Sequence, residues 1–317
     1  MEYEEVTHTV TDRTLGRLPS GDEVTVTVHR YAGGSGPTAY VQAAQHGIEL
    51  NGPAALRRLH WRLLDAEIAG TVVVVPVVNA LAFDSRSYMT PAAYDAVNPN
   101  LNRVWPGNDD GTLQEQLAAE LWRLVTDADA VVDLHTGTAD MLEHVRVRAD
   151  QSEARRLGEA FGTDYLLADD ESTDDDGFRG TFRAAVAREG IPALTAELGN
   201  SRQVAQSGVE TGVDGVRDVL REVGILDGRP TPSPNQTLLR DDPDATTAPV
   251  SGLFEARPGI GVGDSVEDGE ELGTVYCPSS FERRETVTAA SGGVAYSVSR
   301  GGVVFAGERL VSVARPV

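Results

Sequence analysis

The chain has no lysine: all 27 of its basic residues are arginines. Against them stand 49 carboxylates, which leave a formal net charge of −22. So negative a surface repels nucleic acid and anionic lipid, and excludes both as partners. It suits an acidic, solvated shell in a salt-rich cytoplasm, where screening shortens the reach of self-repulsion, and so points to a halophilic source. Disorder, the other reading of high charge, conflicts with the regular apolar segments described below. Cysteine occurs once, at Cys277, so no intrachain disulfide can form and nothing indicates an oxidising compartment. No apolar run approaches the ~20 residues that cross a bilayer. The first ten residues, MEYEEVTHTV, lack the apolar stretch of a secretory signal. Together these absences lead us to expect a soluble, cytoplasmic chain with no membrane partner. Aromatics are only 6% of a chain that is 40% hydrophobic, so the core must be largely aliphatic.

At 317 residues the chain has room for one large domain and a small module. EVTVTVHR, 23–30, alternates apolar and polar residues as a half-buried strand does. TAYVQAAQH, 38–46, reads as a strand that delivers His46 at its carboxyl end. Asn51 is a candidate cap for the next helix, with Pro53 in its first turn and ALRRLHWRLLDAEI continuing it. TVVVVPVVN, 71–79, is apolar throughout, as in a strand buried on both faces, with Pro76 near the strand end or at a bulge. A Pro-, Gly- and Asn-rich connection fills 80–112, long enough to be functional. Helix 113–127, strand ADAVVDLH, helix 151–161, strand DYLLA, helix TFRAAVARE, strand PALTAEL and helix DGVRDVLREV follow. This alternation predicts an α/β fold: a mainly parallel sheet with helices on both faces. We expect a catalytic domain over 1–225, a linker over 226–248 and a Gly-rich β module over 249–317. In the module, Val266-x-x-Gly269-Glu270-x-Leu272-x-x-Val275 recurs as Val304-x-x-Gly307-Glu308-x-Leu310-x-x-Val313. Two similar halves predict a small β-sandwich with approximate two-fold symmetry.

The chemistry concentrates in a few polar residues. His46 and Glu49 stand as His-x-x-Glu in AAQHGIELNG, and His135 ends AVVDLH. Two imidazoles and one carboxylate are the donor count of a catalytic zinc site, which keeps its fourth position for water; structural zinc is usually closed by four protein ligands. One zinc ion per chain is the expected cofactor. Glu197, at a strand end in the apolar segment PALTAEL, suits a general base, because desolvation there raises a carboxylate's pKa. Arginine's planar fork matches a carboxylate, so Arg103 with Asn102, in NPNLNRVWPG, is a candidate anchor for a substrate carboxylate. Arg86, in AFDSRSY, is a candidate stabiliser of a developing oxyanion. Arg179, Arg183 and Arg188 are weaker candidates for a second anionic group. His46, His135 and Glu197 all fall at carboxyl ends of strands, where parallel sheets bind ligands. His60 reads as a half-buried packing residue of a helix.

These residues resemble the succinylglutamate desuccinylase/aspartoacylase family, a group akin to the zinc carboxypeptidases. The matching segments are QHGIELNGPAAL, VVNALAFDSRSY, NLNRVWPG, DLHTG and TAELGN, in family order, spread over roughly residues 40–225. The resemblance implies zinc held by His46, Glu49 and His135, with Glu197 as base. It implies Asn102 and Arg103 on the α-carboxylate of an N-acyl amino acid and Arg86 near the scissile carbonyl, with Arg183 the candidate for the arginine that some members use for a second substrate carboxylate. The expected activity is therefore deacylation of a small N-acyl amino acid. A metallocarboxypeptidase acting on short peptides remains as an alternative, as does a catalytically silent metal- or ligand-binding protein. The second is disfavoured because Glu197, Asn102 and Arg103 are all present. The C-terminal module resembles biotinyl/lipoyl barrel-sandwich domains, but without lysine it cannot carry a swinging arm. Its expected role is to shape the site entrance or an interface of a homo-oligomer.

Overall fold

A computed structural model of the chain describes residues 2–137, 140–169, 180–241, 245–300 and 302–317. Its principal strands are β1 (Thr7–Arg17), β2 (Glu23–Ala32), β3 (Gly34–Ala43), β4 (Glu67–Val75), β5 (Ala130–Gly137), β6 (His144–Arg148), β7 (Tyr165–Asp169), β8 (Ala193–Asn200) and β9 (Thr237–Asp241). The C-terminal part adds β10 (Gly252–Ala256), β11 (Glu271–Tyr276), β12 (Arg283–Thr288), β13 (Gly293–Val298), β14 (Gly302–Val304) and β15 (Arg309–Pro316). The helices are α1 (Asn51–Leu64), α2 (Ala80–Asp84), α3 (Leu113–Trp122), α4 (Ser152–Phe161), α5 (Phe182–Arg188) and α6 (Gln206–Glu222).

One large sheet runs β1–β2–β4–β3–β5–β8–β6–β7–β9–β15–β13. Its centre, β4–β3–β5–β8, is parallel. Beyond it β6, β7 and β9 are parallel to each other but run against β8, and β2 and β1 run antiparallel at the other edge. The sheet is thus mixed, and parallel where the sequence reading placed the site. The reason is β6, HVRVR, which carries too short an apolar pattern to stand out as a strand between His135 and α4.

Helices cover both faces, as expected. Alternation along a strand sends neighbouring side chains to opposite faces. Val72, Val74, Val132 and Leu134 pack with Leu56, Leu59 and Leu63 of α1, Leu157 of α4 and Val216 of α6. Val73, Val75 and Val131 pack on the other face with Leu117 and Leu121 of α3 and Phe182 of α5.

Several local expectations need correction. α1 ends at Leu64 instead of running through DAEI, because Glu67 and Ile68 already belong to β4. Asn51 is the first residue of α1 and not its cap. Its buried amide donates to the Leu198 carbonyl at 2.6 Å and accepts from the Ala205 amide at 2.8 Å, tying the helix start to the end of β8. Pro76 stands at the strand end, as expected, but the strand stops at Val75 and does not run on to residue 79. The stretch read as a linker contains β9, which pairs with β7 on one side and β15 on the other. Its polar, Pro-rich flanks conceal five residues, TLLRD, whose Leu239 is fully buried.

The C-terminal module is a sandwich of two layers. One layer is its own antiparallel sheet, β12–β11–β10–β14; the other, with β13 and β15, continues the large sheet. The sequence repeat appears as a repeated turn. Glu270 accepts from the Glu267 amide at 2.9 Å, and Glu308 accepts from the Phe305 amide at 3.0 Å. Gly269 and Gly307 take φ of 75° and 89° in these turns, a region that favours glycine. Val266, Leu272, Val275, Val304, Leu310 and Val313 share one core between the layers.

Candidate active site

The parallel centre of the sheet brings the polar residues together at its carboxyl edge. β3 ends at Ala43, and a turn through Ala44, at φ 57°, carries the chain to His46 and Glu49 just before α1. Asn79 supports this loop by donating to the Gln45 carbonyl at 3.0 Å. Gly47 lies so close to α2 that a Cβ there would sit 2.1 Å from the Ala82 carbonyl carbon and oxygen. β5 supplies His135, and the parallel register sets Glu197 of β8 opposite it.

Donor atoms of His46, Glu49 and His135 all lie within 4.8 Å of one another, and all three residues are buried. Glu49 Oε2 is 3.0 Å from His135 Nδ1 and accepts from the Thr136 amide at 3.1 Å. The other ring nitrogen of His135 donates to Asp133 Oδ2 at 2.9 Å. Asp133 is fixed in turn by Gln42 at 3.0 Å and by Gln45 at 2.7 Å. Gln45 also accepts from the Trp105 indole at 2.8 Å. Asp133 therefore keeps the Nε2 proton in place and turns Nδ1 towards Glu49, the outer arrangement typical of metal-ligating histidine. His46 Nδ1 is buried without a hydrogen-bond partner among the described residues, and its ring stacks on Tyr88 with centroids 3.9 Å apart.

The electrostatics suit a cation. Burial, then the neighbouring His135, holds His46 well below the usual histidine range, so it is the neutral ligand form. Burial also opposes charge on His135, but Asp133 and Glu49 outweigh it and hold it well above that range. A metal ion would displace the proton at Nδ1. Burial pushes Glu49 up to about 7 despite His135, and burial also raises Glu197. Oε2 of Glu197 is enclosed and has no hydrogen-bond partner among the described residues. The residues that carry these two atoms, one a basic nitrogen and one a carboxylate oxygen, line the same cavity. The donor set and these atoms fit a bound zinc ion.

A cavity of about 1260 Å³ opens from this cluster, and Asn102, Arg103, Arg183 and Glu197 all line it. Asn102 Oδ1 accepts from the Phe182 amide at 2.8 Å, which orients its amide group. Arg103 is exposed beside it. Arg86 is not brought to the cavity. It sits at φ 52° just after α2 with its side chain in solvent, and Tyr88 reaches the site instead. Arg183 lines the far wall, but its guanidinium is paired with the buried Asp169. Arg188 is not among the lining residues, and Arg179 lies outside the described residues.

The far wall holds residues the sequence reading passed over. Arg146 pairs with Asp169 and Asp241, each at 3.2 Å, and Tyr296 of the C-terminal module donates to Asp241 at 2.8 Å. Arg300 of the module donates to Asp140 at 2.8 Å. The module thus forms part of the cavity wall. His144, opposite Glu197 on β6, is buried and pushed down to about 3, so it is neutral there. A sequence signal existed for Asp133: Asp-x-His on a strand puts both side chains on one face. Tyr88 and the Arg146–Asp241–Tyr296 group carry no such signal, since distant segments meet only in the fold.

Comparison with known proteins follows the same lines. Residues 35–223 match the model of the succinylglutamate desuccinylase/aspartoacylase catalytic domain. The chain is 31% identical over 254 residues to an N-alpha-acetyl-L-2,4-diaminobutyric acid deacetylase of Halomonas elongata, covering 77% of this chain and 71% of that protein. Among solved structures, the product-bound ectoine utilization protein EutE (DoeB) from Ruegeria pomeroyi superposes with a TM-score of 0.85 at 26% identity, over 99% of this chain and 96% of that one. A succinylglutamate desuccinylase/aspartoacylase from Rhodobacter sphaeroides does so with a TM-score of 0.84 at 26% identity, covering 99% and 97%.

Proposed function

Because the chain belongs to the succinylglutamate desuccinylase/aspartoacylase family, we propose that it hydrolyses the amide bond of an N-acyl amino acid, with zinc at His46, Glu49 and His135. The observation that carries this is the buried three-donor cluster with Glu197 in register opposite His135. Bound there, zinc supplies Lewis acidity, making water nucleophilic near neutral pH and polarising a carbonyl. Glu197 takes the proton from that water and returns it to the leaving amine, and its raised pKa suits both transfers. Asn102 and Arg103 hold the α-carboxylate of the substrate. Arg86, exposed and outside the cavity in this structure, would have to turn inward on substrate binding to meet the charge forming on the carbonyl oxygen.

The far wall bears on the substrate's side chain. Arg146 and Arg183 are two cations matched by two anions, Asp169 and Asp241. Held in these pairs, neither guanidinium stands free to take a second carboxylate of the substrate. This argues against Arg183 as a free carboxylate site and favours a neutral or cationic side chain. Nα-acetyl-2,4-diaminobutyrate, named for the Halomonas elongata relative, meets that description.

A hydrolysis assay at high salt tests the reading, using Nα-acetyl-L-2,4-diaminobutyrate, Nα-acetylaspartate, succinylglutamate and dipeptides with free carboxyl termini. The expected order places the diaminobutyrate compound first, with activity lost on chelation and restored by zinc. Faster turnover of the dicarboxylates would restore Arg183 as their anchor. Preference for dipeptides would mark a carboxypeptidase, and no turnover at full zinc loading would mark a silent binding protein.

A further inference from the structure

Four of the six histidines have no place in the metal cluster above. His144 is enclosed in the fold. The other three, His8 on β1, His29 on β2 and His60 on α1, converge at the antiparallel edge of the sheet. Their candidate donor atoms all lie within 4.8 Å of one another, and each residue is half-buried. His8 Nε2 is 3.1 Å from His29 Nδ1, and the two rings stack with centroids 5.3 Å apart. His60 meets both rings edge-on, at 5.1 Å from His8 and 5.8 Å from His29.

We propose that His8, His29 and His60 form a second metal site, which takes a divalent transition ion such as zinc or nickel through three imidazoles. Imidazole suits zinc, copper and nickel alike, and three such ligands leave a position for water. The frame is built from regular elements. The β1–β2 register pairs His8 with Tyr31 and Val10 with His29, which projects both histidines from adjacent strands. Tyr31 is buried, stacks on His8 at 4.6 Å, and places its hydroxyl 2.7 Å from His60 Nδ1. That is the outer contact that orients a ligating histidine. Burial and the neighbouring imidazoles lower His8 and His29, so both are in the neutral form a metal needs. The net charge of −22 favours cation uptake as a background.

This site is separate from the catalytic one. None of the three histidines lines the cavity, and His60 stands about 13 Å along α1 from the helix start that follows Glu49. An ion there would fasten the β1–β2 hairpin to α1, the helix that leads out of the catalytic loop. Binding only to the folded chain, it would raise the unfolding temperature.

The test counts metal. Full-length protein is stripped with a chelator, reloaded with excess zinc, desalted, and assayed for zinc per chain; its unfolding temperature is measured with and without nickel chloride. The wild type is expected to hold two zinc ions, and His8→Ala and His29→Ala one each. Both variants should lose the nickel-dependent rise in unfolding temperature and keep the wild-type hydrolytic rate. His135→Ala should hold one ion and retain the nickel response, which separates failure of this site from failure of the catalytic assignment. Unfolding of the metal-free variants is measured first, and His8→Gln replaces any that does not fold. One zinc per wild-type chain, lost in His135→Ala, would overturn the proposal and leave the three rings as packing against Tyr31. Wild-type zinc content and nickel response in the His8 and His29 variants would overturn it equally.

Discussion

Oδ2 of Asp133 receives both the Gln45 amide and the His135 ring, and Oδ1 receives Gln42. A carboxylate can accept all three bonds because it has acceptor capacity on both oxygens. Asparagine would turn one oxygen into a donor and set it against a neighbouring N–H. Asp133→Asn is therefore expected to weaken zinc binding ~10–100-fold while the fold persists, as read by competition with a chromogenic chelator. Unchanged affinity would show that His135 needs no such partner. Glu197 behaves differently, since it lines the cavity without belonging to the donor set. Glu197→Gln should keep its zinc and lose ~10²-fold or more in kcat. Substantial turnover by that variant would move the base role to another group. For Arg86 the kinetic signature is a fall in kcat larger than the rise in KM in Arg86→Ala, as expected for a contact made only in the transition state. A rise in KM alone would assign it to ground-state binding.

Strands and helices deliver these groups through a small number of junctions. β3 and β5 lie side by side, β8 joins β5, and the loops after β3 and β8 are linked through Asn51. With Asn51→Ala, a buried carbonyl at Leu198 and the amide of Ala205 both lose their partner. Leaving such groups unsatisfied costs about 1–3 kcal/mol each, so unfolding in urea should show a loss of that order or more. A change under half a kilocalorie would mean that water replaces the side chain at the junction. Apolar runs in the sequence located most of these elements. β6 and β9 escaped, because five-residue strands with charged members gain their stability from neighbours on both sides and not from their own pattern.

Across the whole molecule, charge acts through numbers and not through pairs. At −22 the folded chain repels itself in dilute buffer, and the Debye length shortens to ~3 Å at 1 M salt. Unfolding temperature and kcat/KM are accordingly expected to rise from low to molar KCl. At the highest salt, competition for the exposed Arg103 should begin to weaken substrate binding. A melting temperature that stays flat or falls with KCl would defeat the halophilic reading and leave the zinc site untouched. The C-terminal module belongs to this scale too. Through β15 it completes the large sheet, and through Tyr296 and Arg300 it closes one side of the cavity.

Residue type and spacing alone singled out His46, Glu49, His135 and Glu197 as candidates, together with the α/β alternation and the repeat in the module. These are properties of short segments: an alternating or continuous apolar run sets the element, and a strand's end sets where its last side chain emerges. The fold decided what depends on segments far apart in the chain. It put Tyr88 on His46, matched Arg146 and Arg183 with Asp169 and Asp241, and left Arg86 in solvent. It also gathered His8, His29 and His60 from two strands and a helix. No spacing in the sequence encodes such meetings, because register and packing angle set the distance between side chains that the chain itself separates by dozens of residues.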